Sequence, residues 1–295
     1  MYIILGKSGY IAEAIISELS HRKLEFKALS RNDIDYTNKK ELSLYLSQNF
    51  YRKTVANHNI TIVNCAGFIG KPNVDACEKH KAECINGNIL LPSMLAQLCA
   101  ENGYKFVHIS SGCIYNGYEK IFTEEDEPNF DFNNGSFYSG TKALAEKTVL
   151  QHCPESFIFR LRIPFDQYAS SRNYITKLLS YERLVSFENS LTNRFDFAKY
   201  ALDLLSINAE PGIYNITNKG SISAEEVIDL TKTYCYSMQK FLKSKQFSFF
   251  SNLDQFMLEI TAPRSNCVLD TSKIESLIKV RDVRTALIES LKNYT

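Results

Sequence analysis

Short unbroken apolar runs alternate along the chain with stretches whose apolar positions recur every three to four residues. Tyr2-Ile3-Ile4-Leu5 precedes a helical pattern over about 10–20, and Phe26-Lys27-Ala28-Leu29 precedes one near 38–50. Thr61-Ile62-Val63-Asn64 precedes two more, near 74–84 and 88–101. Phe106 to Ile109 then leads into a long loop, a helical pattern near 137–151, and the run Phe157 to Leu161. The apolar runs are continuous rather than alternating, which predicts strands buried on both faces and therefore parallel. Right-handed crossovers wind such strands into an α/β sheet that takes ligands outside its carboxyl ends.

After Pro164 the rhythm breaks. Short patterns at Ile175–Tyr181, Leu184–Phe187, Phe195–Leu205 and Ile213–Thr217 precede a helix-rich tail. The prediction is a Rossmann-like, doubly wound parallel sheet with a smaller, helix-rich C-terminal substrate lobe. The nucleotide-binding domain is expected over 1–164 and 192–217, and the lobe over 165–191 and 218–295. The polar loop at 123–136 is expected to rim the cleft between them.

Composition narrows the ligands. With 34 basic against 33 acidic residues the net charge is +1, so no long-range field draws in nucleic acid or an anionic membrane. Any bound anion must be held locally. The eight cysteines form no C-x-x-C and sit beside no histidine pair at ligand spacing, so no metal is expected and the thiols read as reduced. No apolar run approaches 18 residues, and the chain starts on a strand-like run without a basic leader, so a cytoplasmic protein is expected.

The stretch "LGKSGYIAEAI" follows the first run and places Gly6, Gly9 and Ala12 three apart. At a strand-to-helix junction this pattern suits a pyrophosphate at a helix N-terminus. Gly6, Ser8, Gly9, Tyr10 and Ile11 are the expected cradle, and Ala66 and Gly67, after the third run, the expected passage for a cofactor ribose. The second run ends in Ser30-Arg31, where an NAD site usually carries an acidic residue. A guanidinium suits a 2′-phosphate, so NADPH is the expected cofactor. Asp35 is placed at the adenine edge.

"SFYSGTKALAEK" puts Tyr138 and Lys142 four apart on one helix face. An ammonium there is expected to lower the phenol's proton affinity and so provide a donor for a carbonyl receiving hydride. Ser111, at a strand end, is the second hydroxyl for that carbonyl.

These pieces resemble the extended short-chain dehydrogenase/reductases. Among them, "GKSGYIA", "NCAGFIGKPNVDACE", "SGCIY", "EEDEPNF", "SFYSGTKA", "LRIP", "RNYITKLL", "GIYNIT" and "APRSN" are most similar to bifunctional nucleotide-rhamnose synthases related to dTDP-4-dehydrorhamnose reductases. The resemblance implies a reductase trio at Ser111, Tyr138 and Lys142 and an epimerase acid/base pair at Cys113 and Lys177. It implies a UDP-4-keto-6-deoxy-glucose substrate, inverted at C3 and C5 and reduced at C4, with UDP rather than dTDP resting on the resemblance alone. A nearby cation would lower the Cys113 thiol and burial would lower Lys177. Asn73, Ser111, Gly112, Cys113, Asn173 and Arg264 are the expected substrate contacts, Arg264 for the pyrophosphate; Asn73, Asp75 and Glu78 equally suit helix capping. Two positions depart from the family pattern, Ala12 for a third glycine and Gly140 where a larger residue is common. His108, inside a strand, reads as structural. A reductase without epimerase activity and a noncatalytic NADP-binding regulatory subunit are the alternative readings, and a homodimer through helices of the nucleotide domain is compatible with the chain.

Overall fold

The computed structural model describes residues 1–57, 60–71, 73–250 and 252–295; Pro72, within a stretch quoted above, lies outside them. The first half alternates as its apolar pattern requires. β1 (Tyr2–Leu5), α1 (Tyr10–His21), β2 (Phe26–Leu29), α2 (Lys39–Asn57) and β3 (Thr61–Asn64) are followed by α3 (Asp75–Lys79), α4 (Lys81–Ile85) and α5 (Leu91–Asn102). β4 (Lys105–Ser111), α6 (Phe137–His152) and β5 (Phe157–Leu161) come next, and a last strand, Gly212–Asn215, completes a six-stranded sheet. The order is β2-β1-β3-β4-β5 and then Gly212–Asn215, with every pair parallel. The chain runs outward from β1 to β2 and then crosses to β3 on the other side, so the switch point lies between β1 and β3.

Alternate side chains of the same strands feed two cores. Ile4, Val63, Val107 and Phe159 pack with α1 and with the helix Arg194–Ser206 on one face. (α7, Tyr174–Ser180, precedes that helix in the chain.) Ile3, Leu5, Ile62, Phe106 and Ile158 pack with side chains of α2 and α5 on the other. A third core gathers Phe165, Ile175, Leu178 and Leu191 with Ile222, Val227, Val283 and Leu287. Ile274 and Val280, also from the tail, pack instead against the sheet.

Two elements differ from the periodicity. The expected helix over 88–101 begins as a π-helical turn, Asn86–Leu90, and becomes regular only at Leu91. Asn88 is buried there and bonds to Phe68 and to Thr141, and Gly87 lies against Phe68, so tertiary contacts override the regular spacing. The pattern at Leu184–Phe187 yields a strand of only Arg183–Leu184, since only those two residues meet a partner, Ser248–Phe249.

Gly6 is needed for two reasons at once. Its φ is +84°, and a Cβ there would lie 2.9 Å from the Ala66 backbone. Gly6→Ala is expected to cost about 1–3 kcal/mol of stability in urea unfolding; a change within about 0.5 kcal/mol, ordinary for a surface site, would contradict this account of the turn.

Candidate active site

The glycine turn connects β1 to α1 across the switch point. Gly6 and Lys7 donate backbone N–H groups to Leu29 O, and Gly9 donates to Gly6 O at 2.8 Å. Gly9 is the N-cap of α1, extended and without a side-chain cap. The C-terminal part of the chain reaches over this turn. Arg172 donates to Ser8 O at 2.9 Å and Arg194 to Tyr10 O at 2.9 Å, with the Arg194 guanidinium lying over the Tyr10 ring. Ile11 is half-buried and packs on the first core. Gly67 is close enough to Asn88 that a Cβ would meet its Oδ1 at 3.0 Å.

At the end of β2 the fold supplies an acid that the strand end lacked. Asp33 accepts the Ser30 N–H at 2.7 Å and the Ser30 hydroxyl at 2.6 Å, and pairs with Lys7 at 2.7 Å. The Lys7 ammonium, then Ser30, hold this carboxyl well below the usual carboxylate range. Arg31 is exposed beside it. Asp35, expected at the adenine, accepts the N–H and hydroxyl of Thr37 within its own turn.

β4 and α6 hold the expected reductase trio, and Cys113 lies just beyond β4. Ser136 caps α6 by accepting the Ser139 N–H, and Tyr138 and Lys142 follow one turn apart. β4 continues two residues beyond its apolar run, so Ser111 stands at its carboxyl end and accepts the Cys113 N–H at 3.2 Å. The Cys113 thiol lies within bonding reach of Ser111 and Ser139 and within the field of Lys142. Tyr138 in turn has Ser111 as a side-chain partner and feels the Cys113 sulfur. The structure therefore brings Ser111, Cys113, Tyr138 and Lys142 together.

Their acidities correct two expectations. Burial dominates at Tyr138, whose phenol is raised well above its ordinary value rather than drawn toward neutrality. Burial also raises the Cys113 thiol, outweighing Ser111, Ser139, Arg162 and Lys142, so the expected lowering by a cation is not what this site produces. Lys177 does follow expectation, lowered by burial first and by the Arg264 charge second. Lys142 is drawn down to about 8 by burial. Only 6% exposed, it donates to Ile109 O at 2.9 Å and stands 3.2 Å from His108 Nε2.

Several expected substrate contacts are engaged inside the protein. Asn173 is fully buried; its amide donates to Asp166 and Tyr168 carbonyls while its oxygen caps α7, so this side chain is a structural cap. Arg264 is paired with Asp75 through both guanidinium nitrogens, at 2.8 and 2.9 Å, which places its charge against α3. Asn73 accepts the Asp75 N–H, and Glu78 accepts the Phe137 N–H at 2.7 Å, tying α3 to the start of α6. Gly112 is buried, with Leu269 where a Cβ would stand.

Behind α6 lies a pair the motifs did not reveal. Arg160 of β5 and Glu146 of α6 are both buried and joined by three hydrogen bonds, the closest at 2.6 Å. Arg160 also donates to Tyr115 Oη, and Ser110 of β4 donates to Glu146. These bonds fix how far α6 can slide along β4 and β5. Arg160 follows Phe159 in an otherwise apolar strand, and a cation in such a run is the one signal that could have disclosed a buried partner.

Comparison with known proteins agrees with this architecture. The family model described as "RmlD substrate binding domain" matches residues 1–295. The Arabidopsis thaliana bifunctional dTDP-4-dehydrorhamnose 3,5-epimerase/dTDP-4-dehydrorhamnose reductase is 35% identical over 223 residues, covering 73% of this chain and 70% of that protein. The chain belongs to the RmlD family. A trifunctional UDP-glucose 4,6-dehydratase/UDP-4-keto-6-deoxy-D-glucose 3,5-epimerase/UDP-4-keto-L-rhamnose-reductase of the same plant is 35% identical over 221 residues, but these make up only 32% of it. The crystal structure of the L780 UDP-rhamnose synthase from Acanthamoeba polyphaga mimivirus superposes with a TM-score of 0.85 at 24% identity, over 99% of this chain and 98% of that one, and shows the same fold.

One departure from the RmlD family pattern now has a cause. At Gly140 a Cβ would lie 2.4 Å from the Phe132 ring, so the loop at 123–136 packs directly on α6 where a side chain would stand.

Two outcomes follow from the buried charges. Glu146→Leu strands the Arg160 guanidinium and should cost about 3–5 kcal/mol in urea unfolding, most of it recovered when Arg160→Met is added. For Lys142, an unfolded lysine titrates near ~10.4 and the folded one at about 8. Between these values the unfolded chain binds a proton that the folded chain has shed. This group therefore makes stability climb with pH through the window, and its full cost is present below it. Lys142→Met should flatten that climb in urea midpoints measured across the window; an unaltered slope would show that Lys142 is not its source.

Proposed function

We propose that the chain is an NADPH-dependent enzyme that inverts C3 and C5 of UDP-4-keto-6-deoxy-glucose and reduces C4, giving UDP-rhamnose. The observation that carries this reading is the gathering of Ser111, Cys113, Tyr138 and Lys142 at the carboxyl end of β4.

The residues at the switch point fit the cofactor. Gly6 keeps the space beside Ala66 clear of a side chain, and the first turn of α1 has no side-chain cap on its N–H groups. Gly6, Ser8, Gly9, Tyr10 and Ile11 would hold the pyrophosphate, with Ala66 and Gly67 beside the ribose. Ser30, Arg31 and Lys7 would read the 2′-phosphate. Bound NADPH supplies hydride to the C4 carbon.

The rest of the chemistry falls to the protein. Ser111 and Tyr138 hydrogen-bond the C4 oxygen, which stabilises the negative charge that develops when a proton leaves C3 or C5. Cys113 on one side removes that proton and Lys177, from the second lobe, returns one on the opposite face. Tyr138 then gives its proton to the C4 oxygen as the carbon is reduced. Tyr138's high proton affinity in the resting site keeps it protonated and ready to donate. A reductase without epimerase activity is the second reading, favoured by one observation: burial raises the Cys113 thiol, which leaves less thiolate to act as a base.

Incubation with NADPH and UDP-4-keto-6-deoxy-glucose in D2O separates the two by NMR. The first reading expects a rhamno product deuterated at C3 and C5, with the exchange abolished in Cys113→Ala; a gluco-configured product supports the second. Tyr138→Phe should lower C4 reduction about 10²–10⁴-fold. Arg31→Ala should raise KM for NADPH about tenfold and leave that for NADH unchanged, in keeping with loss of a single charge-assisted contact; equal changes for both would remove the 2′-phosphate assignment.

A further inference from the structure

Lys142 has a neighbour that no motif assigns. His108 is 1% exposed, and its two ring nitrogens each stand 3.2 Å from a nitrogen: Nδ1 from Asn64 Nδ2, and Nε2 from Lys142 Nζ. A neutral imidazole has one N–H and one lone pair. It can therefore accept from only one of these two groups.

Asn64 decides which. Its amide is completely buried, and its Oδ1 accepts the Ala66 N–H at 3.1 Å. Rotating the amide would set its NH2 against that N–H. The NH2 is thus directed at His108, and Nδ1 must be the acceptor. The proton of the ring then lies on Nε2, pointing at Lys142. An ammonium has three donors and no lone pair, so it cannot receive that bond. An amine can, and it can still donate to Ile109 O at 2.9 Å.

We infer that Asn64 fixes His108 as its Nε2–H tautomer, so that His108 presents a hydrogen-bond donor to Lys142 and biases that lysine toward its neutral amine. Asn64 and His108 are positioning residues, acting through Lys142 rather than on substrate. The consequence for turnover rests on the proposed reading of Tyr138 as proton donor. With Lys142 neutral and Tyr138 protonated, the pair begins one proton short. When Tyr138 passes its proton to the C4 oxygen, Lys142 takes one from solvent, and the new ammonium stabilises the phenolate. That proton then moves to Tyr138 and restores the starting state, so one solvent proton is consumed for each carbonyl reduced.

The direction of titration agrees: burial draws both His108 and Lys142 down, and the Lys142 charge lowers His108 further. The other groups facing Lys142 are Glu146 on its own helix, Cys113 after β4 and Cys84 on α4, all of which favour the ammonium. His108 is therefore the neighbour whose hydrogen bonding opposes protonation.

The tautomer is directly measurable without any sugar nucleotide. In the wild-type chain labelled with 15N-histidine, with His108 assigned through its backbone correlations, the expected result near neutral pH is a protonated Nε2 and a bare Nδ1. A protonated Nδ1, or an imidazolium, overturns the inference. A second readout follows the Lys142 Cε resonance against pH. His108→Phe keeps the ring volume and removes the donor, and should raise the Lys142 midpoint by about one pH unit, a tenfold gain in proton affinity. An unmoved or lowered midpoint also overturns it. If His108→Phe does not fold, the wild-type tautomer decides. Neither measurement depends on the substrate, so a failed rhamnose assay with the expected tautomer would reject the function and not the tautomer, and the reverse result would do the opposite.

Discussion

An ammonium-bearing side chain almost out of reach of water is the constraint around which the candidate site is arranged, because burial disfavours its charge. Lys142 sits under the carboxyl end of β4, held by one carbonyl and one imidazole. Its position depends on where α6 lies along the sheet. The buried Glu146–Arg160 pair sets that position from below, and the Ser136 cap and the Glu78 bond to Phe137 set it at the top. A buried ion pair contributes little net stability compared with a good apolar contact, but it tolerates little sliding. Precision of the helix, rather than strength of the fold, is what it contributes here.

The second constraint is the docking of residues after Pro164 onto the glycine turn and α3. Two arginines, Arg172 and Arg264, bridge these distant parts of the chain, while Arg194 ties the helix Arg194–Ser206 to α1. Arg172 reaches a carbonyl of the glycine turn, and Arg264 clasps Asp75 on α3. Each guanidinium meets its partner with directed N–H groups, so these segments are held by orientation as much as by charge. Arg264 matters twice, because its positive charge also bears on Lys177 and eases loss of that lysine's proton. A residue expected to meet the pyrophosphate thus acts instead on Asp75 and Lys177.

The same economy holds at the end of β2. Lys7 belongs to the glycine turn and Asp33 to the loop beyond the strand, yet they form one ion pair beside Ser30 and Arg31. Two cations and one carboxylate share this corner. Neither cation acts alone there, because the Asp33 carboxylate is shared with Lys7 and Ser30.

The apolar rhythm alone was enough to determine the parallel sheet, its first five strands and the place of the glycine turn, because strands buried on both faces cannot hide their composition. The spacing of Tyr138 and Lys142 likewise put them on one helix face, since 3.6 residues per turn is a property of the backbone. Acidity was not legible in the same way. Tyr138 and Cys113 shift upward because of how densely the rest of the chain surrounds them, and burial is a sum over distant segments. Nor could spacing disclose Asp33 at Ser30, Arg264 on Asp75, or Asn64 and His108 behind Lys142, whose partners are up to 189 residues apart in the chain. Local sequence determined which residues could do the chemistry; the tertiary fold decided their protonation and their partners, because a hydrogen bond or a lost water shell depends on what lies next in space and not on what comes next along the chain.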